Sequence, residues 1–390
     1  MSEVFVDIGS TRVIVGRVPE EGLPTFSVFP MERKEEGREE DELRATLLKG
    51  RAQLGKDFCP KKVWLILGLG QVNVERRKET LCLSSKKRVA IGPKHITRMH
   101  LTLLSRILND GLWFVTSELG SIDLDGIEYF HFPRDKRIFA HTIGLNEFVF
   151  CLKREKVSRV REVFRSLGLR IKGVLVRELL VSKACFSSRE RENGAILIDI
   201  GFNQSSLIFW KQQRLLGVKV FPYGGRDITS SIMKEFGVPF VVAEALKRRF
   251  IDVESLSLDN GAVRVDVQSR RYEVPKQKLS QVVHECVESI LREIRDHMFT
   301  WQVSLDDVVL GLTGGVCAMD GVVESTERIF SMPTKMAFCR NQSCIFSATS
   351  SPYGLIAGAF WQFSEGKVGF PKLSWSERIW LALRDVWEFF

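Results

Sequence analysis

Two short stretches, half the chain apart, carry residue types that suit phosphate binding. The first is Asp7-Ile8-Gly9-Ser10-Thr11-Arg12 and the second is Asp199-Ile200-Gly201-Phe202-Asn203-Gln204. Each sits between two apolar runs that read as strands. A carboxylate and a glycine in such a turn bring a phosphate to bare backbone N–H groups. Ser10 and Thr11 add hydroxyls and Arg12 a cation, while Gly201, Asn203 and Gln204 form the second turn. One copy alone reads as a polar hairpin turn; a repeat of the unit at half-chain distance points to two similar halves facing each other. Gly224-Gly225, just before a helical stretch, is a further place for an anion. Glu244 and Lys247 share a helix face. They read either as a surface ion pair or as groups reaching the sugar and base of a nucleotide. Val308–Gly315 ends on Gly314-Gly315, where backbone can approach a flat ligand because no side chain intervenes.

The elements that must position these residues come from a chain of 390 residues, 44% hydrophobic and 27% charged, with a formal net charge of +9. That length suits two domains or two related halves. The positive balance favours acidic partners, but no basic run is interleaved with aromatics as nucleic-acid binding requires. The eight cysteines are scattered without a CxxC, so a reducing compartment is expected. No run of eighteen apolar residues is present for a membrane span, and the N-terminal residues do not read as a signal peptide.

Along the chain we expect a first lobe core over 1–78, an inserted α/β subdomain over 79–155, and a return to the first core over 156–194. A second lobe follows over 195–345, with a small subdomain at about 228–300. A closing helix at 346–365, a linker at 366–373 and an amphipathic helix at 374–390 complete it. The insertion contains the helical repeat of Ile96, Met99, Leu103, Leu104 and Ile107 among short strands. Lys156–Leu167 and Leu175–Ser187 read as helices leading into the Asp199 stretch.

In their order, Asp7-Ile8-Gly9-Ser10-Thr11, Asp199-Ile200-Gly201, Gly224-Gly225 and Thr313-Gly314-Gly315 resemble the actin-like ATPase superfamily. That resemblance implies an α/β fold of two related lobes around a nucleotide cleft. It implies ATP gripped by the two hairpins, with Mg2+ near Asp7 and Asp199 through water. Within the superfamily the chain is most similar to the FtsA family of bacterial cell-division proteins. The carriers are FPYGGRDITSSI followed by AEALKRR, the place of the insertion, the KLSQVVHECVESILREI helix before LTGG, and the tail. Phe202-Asn203-Gln204 departs from the family's glycine-rich second loop, which puts hydrolysis, more than binding, in question.

The tail SWSERIWLALRDVWEFF places Trp375, Ile379, Trp380, Leu383, Val386, Trp387 and Phe390 on one half of a helical wheel. Its charges fall on the other half, which suits a helix lying in a membrane interface; the alternative is a helix docked on its own domain. The resemblance implies a protein at the cytoplasmic face of the inner membrane, at the division site. It would tether the FtsZ ring through the FtsZ C-terminal tail, self-associate into filaments, bind an anionic membrane surface and recruit later division proteins. The FtsZ tail would dock at about 228–300, with Arg249, Lys276 and Lys278 facing its acidic groups. A pilus-assembly scaffold like PilM, a pseudo-ATPase scaffold and a kinase of the sugar-kinase type are the other readings of the same fold.

Overall fold

The computed structural model describes residues 3–20, 24–31, 39–53, 61–129, 138–249, 261–301, 305–319, 321–339 and 352–367. The linker beyond 367 and the amphipathic stretch 374–390, with Trp375, Ile379, Trp380, Leu383, Val386, Trp387 and Phe390, lie outside the described residues.

The first lobe opens with β1 (Glu3–Ile8), β2 (Arg12–Val18) and β3 (Thr25–Pro30), then α1 (Glu39–Gln53) and β4 (Lys62–Leu67). The insertion follows as β5 (Asn73–Cys82), β6 (Val89–Ala90), α2 (Pro93–Asn109), β7 (Leu112–Leu124), β8 (Ile127–Tyr129), β9 (Phe139–Ala140) and β10 (Thr142–Lys153). The chain returns through α3 (Arg154–Ser166), β11 (Arg170–Val176), α4 (Arg177–Cys185) and α5 (Ser188–Asn193).

The second lobe contains β12 (Ala195–Ile200), β13 (Ser205–Lys211), β14 (Arg214–Phe221), α6 (Gly225–Phe236) and α7 (Phe240–Arg249). The hairpin β15 (Ala262–Val267) and β16 (Arg270–Pro275) leads to α8 (Lys276–Phe299), β17 (Val309–Thr313), α9 (Val322–Phe330) and β18 (Thr334–Met336). Helix α10 (Pro352–Ser364) then returns to the first lobe.

The two lobes repeat one topology. Among the described residues the first sheet runs β11-β4-β1-β2-β3 and the second β18-β17-β12-β13-β14. In each, the central strand pairs antiparallel with the next strand in sequence and parallel with the later one. Asp7 and Asp199 occupy equivalent places: Asp7 lies between Ile14 and Ile66, Asp199 between Ser206 and Thr313. The repeat read from the sequence is therefore a repeat of whole sheets.

Strand β12 shows why these residues make a central strand. Ile196, Ile198 and Ile200 face one core and Ala195 and Leu197 the other, the period of two that a strand buried on both faces requires. Helix α8 buries Leu279, Val283, Val287, Ile290, Ile294 and Met298, a stripe at helical spacing. Val282 and Cys286 are only partly buried and flank that stripe.

The inserted sheet β5-β10-β7-β8 covers α2 through Leu103, Leu104 and Ile107. It is tied to the core by a buried ion pair, Lys183 Nζ to Glu118 at 2.5 Å, with the ammonium also over the Trp210 ring. Three features are absent from the sequence reading. Strand β11 precedes the helix expected to start at Leu175, and strands β3 and β18 form sheet edges.

Candidate functional site

The cleft floor is built where β1, β4 and β12 end and α4 begins. Three carboxylates and one guanidinium share it, with Asp7 and Glu178 buried and Arg177 and Asp199 half-buried. Asp7 is 2% exposed. Arg177, the first residue of α4, donates from Nε to Asp7 Oδ1 at 2.8 Å and from Nη2 to the Ile8 carbonyl at 3.1 Å. Glu178 accepts a hydrogen bond from the Leu69 N–H at 2.9 Å. Asp199 stands close enough for Arg177 and Asp7 to act on its charge.

Burial pushes the Asp7 carboxyl up while Arg177 pulls it down. Burial also raises Asp199, against the pull of Arg177 and with a push from Asp7. Glu178 is pushed up to about 8 by burial, against Arg177 and with Asp199. The Arg177 guanidinium loses solvation, but the charges of Asp7, Glu178 and Asp199 outweigh that loss and raise it. These effects follow from moving charge out of water among fixed neighbours.

A cavity of about 660 Å3 opens above this floor. Gly9, Ser10, Asp199, Gly201, Asn203 and Gln204 line it, together with Gly68, Gly70, Arg177, Glu178 and Phe202. It continues along α3 past Lys153 and Lys156. Gln204 crosses from the second lobe to the first: a Cβ on Gly70 would stand 1.6 Å from its Oε1.

The other expected site residues gather elsewhere, and most of their polar groups are taken up internally. Arg12 bonds the Tyr353 hydroxyl and its guanidinium lies 4.8 Å from that ring centroid. The Thr11 carbonyl accepts from the Met31 N–H. At the start of α6, the Gly225 N–H donates to the Gly201 carbonyl at 2.9 Å and the Arg226 N–H to the Phe202 carbonyl at 2.7 Å. Gly224 is wedged there: a Cβ would lie 2.7 Å from the Gly201 oxygen and 2.8 Å from the Phe202 oxygen. The helix end expected to hold an anion is thus capped by the second hairpin.

Lys247 is buried, so the surface-pair reading does not hold. Its Nζ reaches the Gly225 carbonyl at 2.8 Å, Thr229 Oγ1 at 2.8 Å and Glu244 at 2.5 Å. An ammonium has three N–H groups, and all three have protein partners. The Phe202 ring covers it at 4.9 Å and meets Phe240 edge-on. Gly314 packs on the chain's own hairpin, at Ile200 and Asp199, whereas a Cβ on Gly315 would meet nothing within 4 Å. On the proposed docking lobe Lys278 pairs with Glu235 at 3.1 Å, and the Arg249 side chain lies outside the described residues.

At Asp7 the residues present do not fit a magnesium ion. The carboxylate expected to share it, Asp7, already binds the Arg177 guanidinium. Among the described residues no group of three His, Cys, Asp or Glu side chains is set to hold a metal. Arg177 and Glu178 are the site residues that sequence reasoning missed. The available signal was a pair of adjacent charges enclosed by apolar residues in Val174-Leu175-Val176-Arg177-Glu178-Leu179-Leu180-Val181. Charges so placed fall in buried chain, where they need partners.

Residues 196–352 match the family model described as Cell division protein FtsA. Curated relatives include the FtsA of Neisseria meningitidis, 26% identical over 187 residues covering 46% of this chain and 44% of that one. The FtsA of Enterococcus faecalis is 28% identical over 186 residues, covering 46% and 42%. The matches span less than half the length of both relatives. Among solved structures, a PilM-PilN type IV pilus biogenesis complex aligns with a TM-score of 0.61 at 14% identity, covering 92% of this chain and 97% of that one. MreB5 of Spiroplasma citri bound to AMPPNP aligns at 0.55 and 11% identity, covering 94% and 97%. Those two likenesses carry the fold alone. The fold is thus actin-like, and the second lobe, residues 196–352, is similar to the FtsA family.

Proposed function

We propose that the protein is a membrane-tethering scaffold of bacterial cell division. In this reading it holds the FtsZ ring to the cytoplasmic membrane at the division site, self-associates as an actin-like protein, and recruits later division proteins. The observation that supports it best is the FtsA match across the second lobe, which includes α6, α7 and α8, the elements proposed to receive the FtsZ tail. The acidic tail peptide would meet the basic residues Lys276 and Arg249 there, with Lys278 exchanging its Glu235 partner. In this reading membrane attachment rests on the stretch 374–390, whose Trp and Phe residues alternate with charges at helical spacing. Its Trp and Phe face supplies the apolar area that an interfacial helix buries.

ATP is the ligand this fold brings to mind, since the Spiroplasma citri MreB5 neighbour is bound to AMPPNP. The scaffold reading does not lean on its turnover, and no step through Mg2+ belongs to it. Pelleting with anionic liposomes, with and without FtsZ tail peptide, tests the proposal. The full chain is expected to co-sediment, and deletion of residues 374–390 to cut the bound fraction about tenfold or more. The tail-less protein should still bind the peptide. Unchanged pelleting after the deletion would sink the tether. The PilM-like platform, a reading compatible with the same fold, would then stand.

A further inference from the structure

The guanidinium of Arg177 stands at the point where the two halves of the cleft floor meet. Its partners come from three directions. Asp7 and the Ile8 carbonyl, at the end of β1, accept from Nε and Nη2. Gly68, just after β4, leaves room for Nη1: a Cβ there would stand 3.0 Å from it. Asp199, at the end of β12 in the second lobe, lines the same cavity, and its charge acts on the guanidinium. The Arg177 side chain is 18% exposed and that of Asp7 is 3% exposed.

A cation beside the carboxylate that ends the central strand of a lobe is the arrangement expected of a metal-dependent site, and here Arg177 occupies that place at Asp7. Here the cation is covalently part of the chain. A guanidinium suits the place: it stays charged at all ordinary pH and presents a rigid fork of donors to carboxylates and carbonyls. Nearby groups are engaged in the same closed arrangement. Lys247 is turned into α6, the first N–H groups of α6 are held by the Gly201 and Phe202 carbonyls, and Gln204 lies on Gly70.

We infer that Arg177 is a built-in counter-ion that takes the place of magnesium beside Asp7, so that this buried carboxylate at the cleft floor is balanced without metal or nucleotide. The FtsA family's cell-division role does not depend on this inference, and the membrane-pelleting experiment does not test it. Removal of one partner from a buried pair leaves the other charge uncompensated, and that gap can be filled from outside by a divalent ion.

The test is thermal unfolding of the full-length protein in EDTA, in MgCl2, in ATP with EDTA, and in ATP with MgCl2. The wild type, Arg177→Gln and the double variant Asp7→Asn/Arg177→Gln are compared. A ligand that binds only the folded state raises the midpoint by mass action. The wild-type midpoint is expected to move by less than about 1 °C in every arm, on the scale where 1 kcal/mol shifts a domain's midpoint by a few degrees. Arg177→Gln should melt several degrees lower in EDTA and recover at least half of that loss in MgCl2. The double variant, with no carboxylate to satisfy at position 7, should show less magnesium recovery than the single variant.

Either of two results overturns the inference. One is a wild-type midpoint that rises by about 3 °C or more with ATP and MgCl2 but not with ATP and EDTA. The other is an Arg177→Gln protein that responds to magnesium no more than the wild type. If Arg177→Gln fails to fold, calorimetric titration of the wild type with ATP and MgCl2 decides alone. Saturable, magnesium-dependent heat overturns the inference, and a flat titration supports it.

Discussion

A methyl group at position 314 is expected to cost the protein about 3–4 kcal/mol of stability. Two independent penalties meet there. Gly314 has φ of +98°, a backbone conformation that L-residues adopt only at a cost of about 1–3 kcal/mol. Its missing Cβ would stand 2.3 Å from the Ile200 carbonyl oxygen and 2.5 Å from Asp199 Oδ1. Neither neighbour yields easily, because Ile200 lies in the β12–β13 ladder and Asp199 in the charged floor of the cleft. Overpacking of this kind costs about 1–3 kcal/mol more. Urea denaturation of Gly314→Ala against Gly315→Ala makes the comparison. Gly315 has an ordinary helical backbone and open space at its Cβ, so its variant should stay within about 0.5 kcal/mol of the wild type. Equal losses in the two variants would show that close approach to the second hairpin is not what glycine is there to permit.

The same turn shows where the sequence was legible and where it was not. A strand ending in two glycines predicts that something comes close, and something does. The sequence suggests a flat ligand, whereas Gly314 meets the protein's own β12. Architecture was readable because it rests on local regularities. Asp7 and Asp199 each follow an apolar run, and the two runs proved to be central strands of sheets with one topology. Strand β11 escaped because Arg170-Ile171-Lys172-Gly173 mixes charges at a sheet edge, and its apolar end runs straight into α4. The partners of charged side chains were the least legible. The i,i+3 spacing of Glu244 and Lys247 placed them on one face, but only packing turned that face onto α6. Arg12 looked like a phosphate ligand because it follows a phosphate-type turn. Tyr353, far along the chain, claims it. Such pairings are set by tertiary packing, which no local period records.

Stability of the wild type is expected to fall as pH rises from about 5 to 8, and Glu178→Gln to remove much of that fall. The folded Glu178 carboxyl is raised to about 8 from an ordinary value of 4.5, chiefly by burial. A folded state that binds a proton more tightly than the unfolded chain gains from it fully below the unfolded value. It loses that gain as pH rises through the folded one. Glutamine copies the neutral carboxyl in shape and can still accept the Leu69 N–H bond, so it keeps the contact and removes the titration. At pH 5 the two proteins should agree within about 1 kcal/mol, and at pH 8.5 the variant should be more stable by roughly 2–4 kcal/mol. Asp199 titrates with the same sign and its charge acts on Glu178, so the difference between the two proteins reports Glu178 together with its effect on Asp199. Urea midpoints at the two pH values supply the measurement. Parallel losses in the two proteins would mean that Glu178 does not carry the proton. A wild type that gained on the variant at high pH would mean that Arg177 holds Glu178 ionised. In that case the guanidinium would be balancing the charge of Glu178 as well as that of Asp7.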